Sequence, residues 1–201
     1  MLLAALVVLF LGLSDVDGKI DPLKPQDNKT IYENTIKVLQ KNTTIGLALI
    51  SLEISGRTCD CLRSRFWKTI DGGAERSLHC YAKGSAAAGK VQGILNNNIT
   101  VKVILEKDMK HPGLLVYNAQ GALSHYWDNY YTVIFATPRC FVLRTGQSEY
   151  SGNSTCVAIS EFRTPKKCAE YFGEHCQRGV VHARGHCALL DNARKNQKSK
   201  L

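Results

Sequence analysis

The sequence predicts a mainly β, antiparallel fold: eight short strands, closed as a barrel or folded as a sandwich, with one helix before them and one after. Three observations carry this. Short apolar or alternating runs recur from about residue 43 onward, separated by turn residues. One run alternates openly, with Val101, Val103 and Leu105 on one face and Lys102 and Glu106 on the other. Helical signals occur only on the two flanks of this strand region.

Taken in order, the chain begins with a 13-residue apolar run, Met1 to Leu13. At about 1.5 Å per residue it is too short to cross a membrane as a helix, and it has the length of a signal peptide. Val16-Asp17-Gly18 places a small residue before a plausible cut, so the expected division is residues 1–18 signal peptide, 19–190 a single domain, and 191–201 a basic disordered tail. Thr30-Ile31-Tyr32-Glu33 matches a capping box, and Tyr32, Ile36 and Leu39 then share a face, which predicts a helix over 30–41. Residues 43–54 are apolar and rich in β-branched side chains, as a buried strand requires. Seven further runs follow at 60–68, 77–84, 99–107, 113–118, 129–136, 140–146 and 155–162. Their breaks hold Asp71-Gly72-Gly73, Asn96-Asn97-Asn98, His111-Pro112-Gly113, Thr137-Pro138 and Ser151-Gly152-Asn153. Pro165 opens the last helix, which runs to about Cys176.

Export gives the cysteines their meaning. Cys59, Cys61, Cys80, Cys140, Cys156, Cys168, Cys176 and Cys187 are even in number and suit disulfides, although spacing alone does not order the pairs. Four sequons, at Asn28, Asn42, Asn98 and Asn153, agree with a secreted glycoprotein. The net charge is +9 and rises to about +11 once the leader and its two Asp are removed. The basic residues are scattered, whereas nucleic-acid binding needs a concentrated stripe. No downstream segment is long and apolar enough to be a membrane span.

Several motifs are weaker than they look. Gly84-Ser85-Ala86-Ala87-Ala88-Gly89-Lys90 has phosphate-loop spacing, but Val91 follows where a Ser or Thr hydroxyl is needed. His175-Cys176, His182 and His186-Cys187 could suggest zinc, yet in an oxidising compartment these cysteines pair with one another. Tyr126-Trp127-Asp128-Asn129-Tyr130-Tyr131 is dense enough in aromatics to wall a pocket. No nucleophile elbow or paired catalytic carboxylate is present, and a catalytic Cys–His pair would need an unpaired thiolate that an even cysteine count gives no reason to expect. The expectation is a monomer that is not an enzyme and holds no metal or cofactor.

The residues resemble the secreted salivary lipocalins of ticks, the histamine-binding-protein family. The likeness rests on Cys61-Leu62-Arg63-Ser64, on Tyr131-Thr132-Val133-Ile134-Phe135-Ala136 running into Cys140-Phe141-Val142-Leu143, on Cys156, and on Cys168-Ala169-Glu170-Tyr171-Phe172 followed by Cys176. It spans about residues 30–187 and is weaker before Cys59, where the family's early Trp is missing. It implies an eight-stranded antiparallel lipocalin-type barrel with a short N-terminal helix and a C-terminal helix packed outside. It also implies two bridges: an early-strand cysteine, Cys61 ahead of Cys59, to Cys187, and Cys140 to Cys168. The family's amine-binding pattern fits in spacing from Cys140 onward but not in chemistry. Phe141 stands where the pattern has Asp, and Val157, Ala158 and Ile159 stand for Glu, Leu and an aromatic residue. A buried amine cation without a carboxylate costs several kcal/mol, so histamine should not bind through that site unless Glu53, Glu106 or Asp128 substitutes.

The function expected is a secreted binder that sequesters a small host mediator (an amine, an eicosanoid or another lipid) to blunt host inflammation and defence. Phe66, Tyr131, Val133 and Phe135 would line the barrel, with Arg63 and Arg65 at its mouth to meet an acidic ligand. The alternative is a rigid barrel whose outer surface binds and inhibits a host complement, cytokine or clotting protein.

Overall fold

The computed structural model describes residues 25–56, 58–82, 94–118, 130–147, 153–161, 164–181, 187–188 and 191–192. The leader 1–18, the 84–90 loop, the aromatic residues 126–129, and His182 and His186 lie outside them. The chain forms α1 (Asn28–Gln40), β1 (Ile45–Ser51), a single turn α2 (Leu52–Ser55), β2 (Asp60–Ser64), β3 (Phe66–Ile70), β4 (Gly73–Tyr81), β5 (Ile94–Ile104), β6 (Gly113–Tyr117), β7 (Tyr130–Thr137), β8 (Cys140–Gln147), β9 (Ser154–Ser160), α3 (Lys166–His175) and β10 (Gly179–Val181).

Neighbouring strands pair antiparallel in the order β1-β2-β4-β5-β6-β7-β8-β9, and β9 returns to β1. β3 continues β2 past Arg65 and pairs with the start of β4, so the expected run 60–68 is two pieces of one bent stave. The result is the closed eight-stranded antiparallel barrel of lipocalin type, with α1 near the N-terminus and α3 near the C-terminus. Closure removes the exposed sheet edges that an open meander would present.

The elements form for local reasons. Asp27, not Thr30, caps α1: its carboxylate accepts the Thr30 amide at 2.8 Å and the Thr30 hydroxyl at 2.7 Å. The helix therefore starts two residues before the expected boundary. Its buried face is Ile31, Thr35, Val38 and Leu39, with Tyr32 and Ile36 packed at the margin. The β3–β4 turn uses Asp71-Gly72, and Gly72 takes φ +67, a region that side chains rarely adopt. β4 then starts at Gly73, four residues before the expected run.

α1 closes one end of the barrel. Ile31, Val38 and Leu39 join the interior cluster, and polar side chains fasten the helix to the strand ends. Gln26 both donates to the Ala136 carbonyl at 2.9 Å and accepts its amide at 3.1 Å, while Gln40 donates to the carbonyls of Ile70 and Gly73. α3 lies outside the barrel over β7, β8 and β9, where Phe172 and Cys168 meet Ile134, Phe135, Val142 and Ala158. Its start differs slightly from the expectation, with Pro165 in the capping position and Lys166 as the first helical residue.

Four disulfides fix this frame: Cys59–Cys80, Cys61–Cys187, Cys140–Cys168 and Cys156–Cys176. The second and third are the pairings that the resemblance implies. The last two hold α3 to β8 and β9 at both of its ends. Each closed loop stabilises by about 2–4 kcal/mol.

The floor of the barrel contains a buried cation. Arg76 on β4 is only 1% exposed, and burial pushes its pKa down to about 10, so it remains charged at neutral pH. Nε donates to the Ser64 hydroxyl at 3.0 Å. One terminal nitrogen donates to the carbonyls of Leu39 (2.5 Å) and Lys41 (3.2 Å), and the other to those of Thr43 (2.6 Å) and Ser64 (3.1 Å). The Phe66 ring lies below, 5.8 Å from the guanidinium carbon. All five donors are used, and two acceptors belong to the negative end of α1.

Replacing this cation should show the dependence. Arg76→Met should cost about 3–5 kcal/mol in urea unfolding, since it strands buried acceptors, and Arg76→Lys should recover only part. A loss below about 1 kcal/mol would mean that the floor does not depend on Arg76.

Candidate ligand site inside the barrel

Side chains alternate between the interior and the outer surface along each strand, and bulges reset the phase. On β8 and β9 the inward residues are Phe141, Leu143, Val157 and Ile159. Phe141 pairs with Ile159 and Leu143 with Val157, so the four form one patch of wall. Ala158 faces outward, beneath α3. The positions where the amine-binding pattern has Asp, Glu and an aromatic residue thus all face the interior, and all carry hydrocarbon.

The rest of the lining agrees. Leu39 from α1, Ile45 and Leu47 from β1, Leu62 from β2, Leu78 from β4, Ile99 and Val101 from β5, and Leu114 and Val116 from β6 complete it with Tyr131. Among the described residues, polar side chains reach this space from Ser64, Arg63, Arg76 and Tyr131. About 60 Å³ remains open between these side chains. No carboxylate belongs to the described lining. Glu106 is exposed, Glu53 accepts from Gln177 at 3.0 Å on α2, and Asp128 lies outside the described residues.

The six expected lining and mouth residues separate into groups. Tyr131 and Val133 face the interior. Phe135 does not: an extra residue at Ile134 shifts the β7–β8 register between Val133 and Phe135, which turns Phe135 outward. There its ring stacks on Tyr171 at 4.3 Å, and Tyr171 stacks on His175 at 4.1 Å. Strict alternation through residues 131, 133 and 135 concealed this bulge. Phe66 supports Arg76 at the floor.

Arg63 and Arg65 are not at the mouth. β2 runs toward the α1 end, so its last residues lie near the floor. Arg65 is exposed beyond it. Arg63 is held by Asp191 in a two-point ion pair, at 2.7 and 2.6 Å, and the Tyr81 hydroxyl donates to the same carboxylate. Asp191, where a free basic tail was expected to begin, is therefore tied to the barrel wall. Nothing in the sequence marked that pair, because its members are 128 residues apart.

Among the sequons, the side chains of Asn42, Asn98 and Asn153 are exposed. Asn28 is half-buried, and its amide donates to the Met109 carbonyl at 3.2 Å. Among the described residues no group of three or more His, Cys, Asp and Glu could hold a metal ion, and no helix is long and apolar enough to cross a membrane.

No protein-family model and no curated protein matches the chain. Solved structures that resemble it include two lipocalins. Japanin from Rhipicephalus appendiculatus bound to cholesterol is 18% identical with a TM-score of 0.49, over 72% of this chain and 93% of that one. Apocrustacyanin C1 is 11% identical with a TM-score of 0.44, over 79% and 89%. The barrel architecture stands on the strand pairing of the chain itself.

The ion pair has a pH signature. Hydrogen bonding from Arg63 holds the Asp191 carboxyl well below its usual range, at about 2. A depressed carboxylate pKa contributes stability above the unfolded value near 4, and that contribution is lost as pH falls through about 2. Thermal melts should therefore show wild-type protein losing more stability between about pH 4 and 2 than Asp191→Asn does. Parallel curves would remove the pair from the stability account.

Proposed function

We propose that the protein binds a small, neutral and largely apolar molecule inside the barrel and removes it from solution. The observation that carries this is the wall formed by Phe141, Leu143, Val157 and Ile159, inward-facing and apolar where the amine-binding pattern has acids. An amine would lose its hydration and meet no carboxylate among the described lining residues, at a cost of several kcal/mol. An acidic lipid fares no better. Arg76 has no donor to spare, Arg63 already holds Asp191, and Arg65 lies outside. Burial of hydrocarbon needs neither charge and returns about 25 cal/mol per Å².

The reading continues to a secreted protein whose ligand is a host mediator, a lipid rather than histamine or serotonin. It is supported by the apolar leader, the four disulfides and the resemblance to salivary lipocalins. Sequestration requires no chemistry, only affinity and abundance.

One observation favours a second reading. Between the described lining side chains only about 60 Å³ is open, so a lipid seated there would displace side chains such as Phe141 and Tyr131. A tightly filled barrel suits a scaffold whose outer surface binds a host protein, and Trp67 is 63% exposed on β3.

Native mass spectrometry of the protein from a eukaryotic secretory host separates the two readings. A co-purifying neutral lipid supports the first. A barrel that remains empty with sterols and neutral fatty-acid derivatives supports the scaffold. Restoring the missing acids gives a sharper check. Wild-type protein should show no saturable histamine binding, and Phe141→Asp with Val157→Glu should gain at least about tenfold in affinity. Tight histamine binding by wild type would overturn the charge argument.

A further inference from the structure

The wall of the barrel is not equally strong all round. β1 and β2 are joined at two register positions only, Ile45 with Ser64 and Gly46 with Arg63. Beyond Gly46 they part. β1 pairs instead with the short β10 over Leu49–Ser51, while β2 stays with β4. The β2–β4 register shifts between Asp60 and Arg63, and Cys61 takes φ +58, a conformation that side-chain-bearing residues rarely adopt.

A groove lies on the outside of this seam. It is lined by Ile45, Gly46, Leu47, Leu62 and Arg63, and those same five residues line the interior cavity. At the seam the two spaces are thus separated by a single layer of residues. The layer is thinnest at Gly46, which has no side chain and lies so close to β2 that an added Cβ would meet the Leu62 carbonyl oxygen at 2.9 Å. Cover comes from outside, from Cys187, Ala188 and Asp191. Cys187 is bonded to Cys61, and Asp191 is held by Arg63 and Tyr81.

We propose that the β1–β2 seam is a side portal through which an apolar ligand reaches the interior, latched by the Asp191–Arg63–Tyr81 contacts and the Cys61–Cys187 bridge. This rests on the barrel-binding reading above. β4–β5 and β8–β9 carry long ladders, and parting them would break many backbone hydrogen bonds in apolar surroundings; β6–β7 pairs at three positions and β2–β4 at two, but it is at β1–β2 that the outer groove backs onto the interior cavity. Parting β1 from β2 breaks a two-position ladder, and its approaches, Leu47 and Leu62, are hydrocarbon. The latch is polar, with Asp191 and Cys187 on the groove side and Arg63 bordering both spaces.

The test uses the full disulfide-bonded chain and a neutral apolar fluorophore, N-phenyl-1-naphthylamine, in stopped-flow binding. The variants are Asp191→Asn and the pair Cys61→Ser with Cys187→Ser. Either variant should speed both association and dissociation by about three- to tenfold and leave the equilibrium affinity within about twofold. Amide hydrogen exchange should rise at Ile45, Gly46, Arg63 and Ser64 and stay unchanged on β5 and β6. Unchanged rates in both variants, with the probe still bound, would overturn the portal and leave the barrel reading standing. Faster exchange over the whole barrel would overturn it also, by showing general destabilisation. Wild-type protein that takes up no probe at all would sink the barrel reading, and the portal with it.

Discussion

The architecture turns on one buried cation. Arg76 reaches from β4 to the last carbonyls of α1, to Thr43 on the way into β1, and to Ser64 at the end of β2. It therefore sets the helix against the strands and brings β1 and β2 together at their one paired end. A guanidinium suits this position because five donors radiate in a plane, and no other side chain offers five. The cost of burying its charge is offset by polar neutral groups and by the negative end of α1, with no carboxylate used. α1 can then close the barrel without bringing an acid into it.

That choice shapes the interior chemistry. A carboxylate partner for Arg76 would have placed a titratable acid beside the cavity. With backbone carbonyls as partners, the floor is polar but saturated, and the walls above it are hydrocarbon. The carboxylate–guanidinium pair of Asp191 with Arg63 approaches the cavity wall from the outside. Charge is thus present in quantity over the surface and is fully committed wherever it nears the cavity. The net positive charge of the chain says little about the ligand for this reason.

The strands were legible where apolar or alternating runs met turn residues such as Asp71-Gly72 and Pro138, and because strand order follows chain order in a meander; Asn96-Asn97-Asn98, expected as a break, instead lies inside β5, paired with β4. The phase of the strands was less legible. β7 reads as alternating from Tyr131 through Phe135, and nothing in those five residues signals the extra Ile134 that turns Phe135 onto α3. A bulge is a property of two strands together, and one sequence shows only one of them. The cap of α1 was misread for a related reason. Thr30 and Glu33 satisfy a local pattern, but Asp27 offers the stronger acceptor at a lead-in residue whose extended backbone suits a cap. Arg63 could be read as a cation but not as a paired one, since Asp191 is distant in the chain. The disulfides brought that distance to zero, and the pairing of Cys61 with Cys187 came from family resemblance and not from spacing.

The amine-binding frame shows how far geometry and chemistry separate. Residues 141, 157 and 159 face inward because they alternate on β8 and β9 and because Phe141 pairs with Ile159. That geometry is set by the backbone ladder and would be the same with Asp or Glu in those places. With acids at those positions the same ladder would present carboxylates to the interior; with the residues present it presents hydrocarbon. Fold and spacing identify where a ligand sits; only the side chains at those positions decide which ligand it is. Here the side chains are four hydrocarbon groups in contact, and on the proposed reading they select against any ligand that must keep its charge.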